Sequence, residues 1–269
     1  MDLMNLDIEV IKARRNMAGH VAYLKPNYEF NWHHSLFCDL VDRFIRGDVR
    51  KLIICVPPQH GKSEVFSRML PARIFGVNPN AKILLCTYNM TKAEEFNRDV
   101  QRYIESDEYS RLYPHIKLRK AGTNGNDVRN SEKFNIPNYE GFLKVAGVGG
   151  GITGTPVDIA IIDDPIKGRE EADSPSHHEK IWNWYVSELN SRLHNESRQL
   201  IIMTRWDSND LVGRILEKVA EGEILNDWHV VSLPAIREEG EPNDIDPRQV
   251  GEAIWENRQS RDRMLEVQR

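Results

Sequence analysis

The sequence has no run of about 18 apolar residues, the length a helix needs to cross a hydrocarbon layer, so no membrane-spanning helix is expected. The first ten residues, MDLMNLDIEV, lack a basic stretch followed by an apolar core, so no secretory signal is expected either. Cysteine is scarce. Cys38, Cys55 and Cys86 form no C-x-x-C pair, and they read as buried free thiols of a reducing compartment. A positive excess is also missing: 36 Lys and Arg face 41 Asp and Glu, a net charge of −5. That balance gives no support for tight unassisted binding to nucleic acid, so a DNA partner would have to be held by a local patch or a ring of subunits. Internal repeats are absent. The 269 residues leave room for one large α/β domain, or a domain with a small appendage.

The chain is organised around Leu52–Glu64, LIICVPPQHGKSE. An apolar run ends in a tight loop that closes on Gly61, Lys62 and Ser63. Backbone N–H groups of such a loop can point at phosphate oxygens, the lysine can reach the β/γ-phosphates and the serine hydroxyl can ligate Mg²⁺. A helix beginning after Ser63 adds the positive end of its dipole. The candidate nucleotide-binding stretch is therefore Pro58, Gln59, His60, Gly61, Lys62, Ser63 and Glu64. The fit to G-x-x-x-x-G-K-[ST] is incomplete, because Val56 stands where the first glycine belongs.

Elements alternate along the rest of the chain. Residues 1–30 read as helical, with Ile8, Val10 and Ile11 on one face and Pro26 as a stop. Phe30 to His34 precede an amphipathic helix that ends at Gly47. Trp32, His33 and His34 are either a base-holding cluster or the first core aromatics of a capped helix. A helix over about 63–75, a strand over 82–88 and a helix over about 92–104, capped by Asn89 or Thr91, argue for a parallel sheet. Residues 115–157 read as a hairpin or meander inserted before the next parallel strand. Gly147–Gly154, GVGGGITG, is open to three readings: a second phosphate cradle, an ATP-site loop, or a DNA-facing loop. Ser174-Pro175 starts a helix with Ile181, Trp182, Tyr185, Val186, Leu189 and Leu193 on its apolar side, and His177 and His178 facing solvent. Arg237–Asp246 reads as a surface linker. Arg98, Arg102, Arg119, Lys120 and Arg129 read as a solvated basic face.

The second informative motif is VDIAIIDD, Val157–Asp164. A strongly apolar strand ends in two carboxylates at the edge where open parallel sheets bind ligands. Asp163 can hold Mg²⁺ through water, and Asp164 can orient or deprotonate an attacking water. A third apolar strand ends in Thr204-Arg205-Trp206, placing Thr204 where a γ-phosphate is sensed. Together with the GKS loop these ends point to a P-loop nucleoside triphosphatase.

PPQHGKSE, GVGGGITG, IAIIDDP and TRWDSNDLVGRIL, in this order, resemble the ATPase domain of the large terminase subunit of tailed bacteriophages. The resemblance implies an α/β, RecA-like P-loop fold of the additional-strand, catalytic-glutamate type, with a mostly parallel sheet flanked by helices and a small lid subdomain. It implies residues 1–30 as an N-terminal helical segment, 31–236 as the ATPase core, and 237–269 as a lid or linker segment leading toward an absent RNase H-like nuclease domain. It implies ATP hydrolysis with Mg²⁺ driving double-stranded DNA into a procapsid in the host cytoplasm. The implied partners are the portal protein, the small terminase subunit and a homo-oligomeric ring, a pentamer on the procapsid and a monomer in isolation. Lys62 and Ser63 then take the Walker A roles, Asp163 the magnesium role, Asp164 the catalytic carboxylate role and Thr204 the coupling role, with Trp32–His34 near the adenine. Three departures follow. The catalytic glutamate is Asp164, the Walker A loop has no arginine, and Thr153 stands where relatives carry an arginine finger. Arg205, Arg129 and Arg169 are the alternative arginines. Competing expectations are a fragment of another P-loop translocase or helicase, and a nucleotide-binding scaffold that does not hydrolyse.

Overall fold

The computed structural model describes residues 3–120, 128–152, 154–239 and 245–267. Helices α1 (Leu3–Arg15), α2 (Met17–Leu24) and α3 (Trp32–Arg46) precede β1 (Lys51–Cys55). A π-helical turn, Glu64–Met69, runs into α4 (Leu70–Val77), then come β2 (Lys82–Thr87), α5 (Met90–Glu105) and α6 (Asp107–Leu112). Next are β3 (Lys133–Asn135), β4 (Phe142–Gly147), β5 (Val157–Asp163), α7 (Arg169–Ala172) and α8 (Pro175–Asn183). The described elements end with β6 (Leu193–Met203), α9 (Leu211–Ala220), β7 (Trp228–Ser232) and α10 (Arg261–Val267).

The strands form a seven-stranded sheet in the order β3-β4-β2-β5-β6-β1-β7. All neighbours pair in parallel except β3 with β4. Strands β1, β2, β5 and β6 read as unbroken apolar runs because both of their faces are covered. Alternate residues divide between two cores. Leu52, Ile54, Ile83, Leu85, Ile159, Ile161, Leu200 and Ile202 pack with α3, α4 and α5. Ile53, Cys55, Leu84, Cys86, Ala160, Ile162, Ile201 and Met203 pack with α8 and α9.

The register decides where the chemistry lies. Cys55 pairs with Met203, and Ile202 pairs with Asp163. The residues that follow, Val56, Thr204 and Asp164, therefore leave one edge side by side on strands spaced by about 4.8 Å. Strand β6 lies between the loop-bearing β1 and the acidic β5, as the additional-strand expectation requires. Gly47 ends α3 in the left-handed region at φ 86°, where a Cβ would be strained. Arg198 donates to the last carbonyls of that helix, Phe44 O and Ile45 O, at 3.0 and 2.8 Å.

Several expectations need correction. The N-terminal segment is two helices, with Asn16 capping α2, so the phase changes between them. Ile8 and Ile11 are exposed, and Ala13, Met17, His20 and Val21 carry the buried face instead. Strand β4 is no separate insertion: it pairs parallel with β2 inside the main sheet, and only β3 makes the hairpin. Past α8 the helix widens into a π-turn over Trp184–Leu189, which buries Trp184 and exposes Val186. His178 is buried, with Nδ1 2.8 Å from Asn209 O and Nε2 2.7 Å from Ala172 O. The linker expected over Arg237–Asp246 lies partly outside the described residues, at 240–244. Of its described residues Glu238, Glu239 and Ile245 are exposed, as a surface linker requires, whereas its last residue is buried. Asp246 and Arg248 form a buried pair at 2.6 Å, and the Arg248 guanidinium sits 5.6 Å from the Trp32 ring centroid.

That pair is what a buried charge demands: Arg248 also donates to Pro234 O at 2.9 Å and Glu252 O at 3.0 Å. Asp246→Ala should therefore cost about 3 kcal/mol in a urea unfolding experiment, because it strands the guanidinium in the interior. A change within 0.5 kcal/mol, the size of an ordinary surface effect, would show that Arg248 can reach water.

Candidate active site

Lys62, Asp164 and Thr204 close a ring above the sheet edge. Lys62 is 5% exposed. Its ammonium donates to Thr204 Oγ1 at 2.8 Å and pairs with Asp164 Oδ2 at 3.0 Å. The Thr204 N–H donates to Asp164 Oδ1 at 2.8 Å, and its hydroxyl lies 3.4 Å from Val56 O. Asp164 has φ 44°, a left-handed conformation that Asp tolerates better than most residues and that turns the chain sharply as β5 ends. The loop uses the same region at Gln59 (φ 66°) and Gly61 (φ 78°). At Gly61 the requirement is also steric, since a Cβ would lie 2.5 Å from His34 Nε2 and 2.6 Å from the Tyr28 hydroxyl.

Asp163 is 1% exposed. Its Oδ2 accepts from the buried Ser67 hydroxyl at 2.5 Å. Oδ1 has no partner. Burial, and then the charge of Asp164, push its pKa above the ordinary carboxylate value. A buried acceptor left open beside a serine hydroxyl is what a hard cation would satisfy. Among the described residues, no group of three or more His, Cys, Asp or Glu side chains is arranged around a metal. The donor set suits Mg²⁺, which takes one or two carboxylates together with water and substrate phosphate.

Trp32, His33 and His34 lie beneath the phosphate loop, as the first aromatics of a capped helix. His33 and His34 are fully buried and Trp32 is half-buried; they support the loop from below. His34 Nδ1 accepts from the Asn31 N–H at 2.9 Å in a capping box that starts α3. His33 lies 4.0 Å from the His34 ring and 5.8 Å from the His60 ring. His60 Nδ1 is 2.8 Å from Pro58 O. The open space beside them is a cavity of about 620 Å³ lined by Glu29, Phe30, Trp255, Asn257 and Arg258. Pro58 is exposed, and exposed Gln59 accepts from Gln259 at 3.1 Å. Glu64 points away from the loop, to Lys25 at 3.0 Å and the Tyr103 hydroxyl at 2.5 Å.

The arginines are engaged. Arg205 Nε donates to Asp210 Oδ2 at 2.7 Å, and Asp210 is the fully buried N-cap of α9. Arg129 bonds Gln101 at 2.8 Å and Glu105 at 2.7 Å. Arg169 is largely exposed beside Asp173. Arg98 and Arg102 pair with Glu94 and Asp99 on their own helix. Thr153 lies outside the described residues. Ser67 went unread, although one hydroxyl in the apolar run Val65–Leu70, four residues after Ser63, was the available signal. The cavity wall had no such signal, because its halves are far apart in sequence.

The comparisons follow this geometry. The family model described as terminase large subunit, T4likevirus-type, N-terminal, matches residues 53–264. A search of curated proteins finds no match. A mutant of the ATPase domain of the large terminase of Thermus phage P74-26 is similar in fold at a TM-score of 0.51, with 13% identity, over 80% of this chain and 84% of that one. The N-terminal domain of the DNA packaging ATPase from bacteriophage phi29 gives 0.42, with 10% identity, over 74% and 96%. A DEAD box protein from Methanococcus jannaschii gives 0.44, with 12% identity, over 76% and 51%. The last two scores are too low to carry an argument.

Burial lowers the pKa of His33 to about 2 and that of His34 to about 4, and it lowers that of His60 as well. His20, buried among the N-terminal helices, is lowered to about 3. Each stays neutral in the fold while the unfolded chain takes its proton below about pH 6.5. The stability is present above that pH and is lost as the pH falls through 6 toward 4. Urea unfolding should lose about 1.4 kcal/mol per pH unit for each such histidine. A flat profile from pH 7 to pH 5 would show that the cluster is charged in the native state.

Proposed function

The chain belongs to the T4-like-virus-type terminase large subunit family, N-terminal region, and from that premise we propose that it hydrolyses ATP to drive double-stranded DNA into a procapsid. The observation that carries this reading is the ring of Lys62, Asp164 and Thr204 above the open acceptor of Asp163. An ammonium, a carboxylate and a metal-ready carboxylate meet at the end of a loop whose N–H groups can hold phosphate.

In this reading Lys62 leaves Asp164 for the β/γ-phosphates when ATP binds. Asp164, released and half-buried, accepts a proton from the attacking water or orients it. Its shorter side chain requires the water to sit close to the end of β5. Ser63 and Asp163 would hold Mg²⁺, which would offset the charge developing on the phosphate. Thr204 touches Lys62, Asp164 and the loop carbonyl of Val56, so a change at the phosphate reaches β6 at once. The base occupies the cavity of Phe30, Trp255 and Arg258, whose faces suit stacking. Trp32, His33 and His34 hold that wall and the loop in place. Residues 31–236 act as the core, and 237–269 close over the loop. Portal protein, small terminase subunit and neighbouring copies in a ring in the host cell complete the assembly. With Arg205 held by Asp210, the transition-state charge calls for a cation from such a neighbour. The same engagement of Arg205 favours, as a second reading, a scaffold that binds nucleotide without hydrolysis.

Steady-state phosphate release decides between them. Lys62→Ala should lose about 100-fold or more, and Asp164→Asn about 100-fold, each measured on protein shown to be folded. Equal slow release by wild type and Asp164→Asn would favour the scaffold, and wild-type turnover in Lys62→Ala would sink the site assignment. Phe30→Ala should raise the KM for ATP about tenfold through lost stacking, with a smaller effect on kcat. An unchanged KM would place the base elsewhere.

A further inference from the structure

Ser67 is fully buried, sits outside the phosphate loop, and spends its hydroxyl on the Asp163 carboxylate at 2.5 Å. We propose that Ser67 is a positioning residue for the metal site: by occupying Oδ2 of Asp163 it leaves Oδ1 as the free acceptor and fixes the plane in which that acceptor is offered. This rests on reading the site as one for a magnesium nucleotide.

Two observations carry it beyond an incidental contact. The first is the asymmetry of the carboxylate. Oδ2 is bonded while Oδ1 is buried without a partner, a costly arrangement unless a ligand completes it. The second is placement. Ser67 sits on the π-helical turn Glu64–Met69 between the buried side chains of Val65, Phe66 and Met69, so its hydroxyl is held in the interior against the end of β5. Groups that orient a metal ligand commonly change metal affinity about 10- to 100-fold when removed.

The test separates metal from nucleotide. Binding of a fluorescent ATP analogue is titrated with Mg²⁺ for wild type and S67A, and repeated in EDTA. S67A should match wild type in EDTA and need about 10- to 100-fold more Mg²⁺ for half-maximal enhancement of binding. Where hydrolysis is measured, the Mg²⁺ requirement should rise while kcat at saturating Mg²⁺ falls far less. A wild-type Mg²⁺ requirement in folded S67A would overturn the proposal. Should S67A not fold, S67C carries the same test, being nearly isosteric with only a weak donor. A wild type that binds no analogue at any Mg²⁺ concentration would instead overturn the nucleotide reading itself.

Discussion

An ammonium group taken out of water must find partners or lose its charge. Lys62 is held in that position by the strained loop of Gln59 and Gly61, and its partners are Asp164 and Thr204. Everything else at the sheet edge follows from this constraint. Asp164 must turn toward the loop, which its left-handed backbone accomplishes. Thr204 must stand between them, which the register of β6 against both β1 and β5 accomplishes. The ring is therefore satisfied by its own members, and under the proposed reading a phosphate would compete with a carboxylate for the lysine, so that occupancy of the loop would release Asp164 without any distant signal.

The base of the loop is built by the opposite device. Below Gly61 lie His33, His34 and His60, all neutral, with several ring nitrogens unbonded. Uncharged rings pack closely against the glycine and bring no positive charge to offset the anion above. The packing below tolerates no Cβ at Gly61, so the residue before the lysine is fixed by shape as much as by phosphate.

Much of this was legible in the amino-acid order, for a definite reason. A strand buried on both faces shows as an unbroken apolar run: Ile159–Ile162 stops at Asp163 and Asp164, Leu200–Met203 stops at Thr204, and Leu52–Val56 runs into the loop that carries Lys62. What was hidden depends on phase or on distance. Ser67 is a single hydroxyl whose partner Asp163 lies 96 residues away, and the π-turns at Glu64–Met69 and Trp184–Leu189 leave no mark in an apolar count. Strand β4 carries Lys144 in its middle and is bounded by Gly141 and Gly147, so its parallel seat beside β2 left no clear pattern. Phe30 meets Trp255 and Arg258 only through the tertiary fold. His178 was assigned to solvent because a first-turn histidine commonly is, whereas carbonyls from two other segments enclose it.

The arginine question has the same physical form as the lysine. Freeing Arg205 for a phosphate would leave Asp210 buried with one oxygen unpaired, at the very residue that caps α9 through the Gly213 N–H. The cost would be paid in the helix that covers β6. Arg129 is similarly bound into the α5 face, by Gln101 and Glu105. Arg169 is held only by an exposed pair with Asp173, which is worth little. Arg205 and Arg129 are thus committed to partners whose loss would cost the fold, whereas Arg169 is exposed and lightly held. If the site hydrolyses ATP as proposed, the positive charge that completes it would come most readily from a residue free of such partners, on this chain's surface or on a neighbouring copy's.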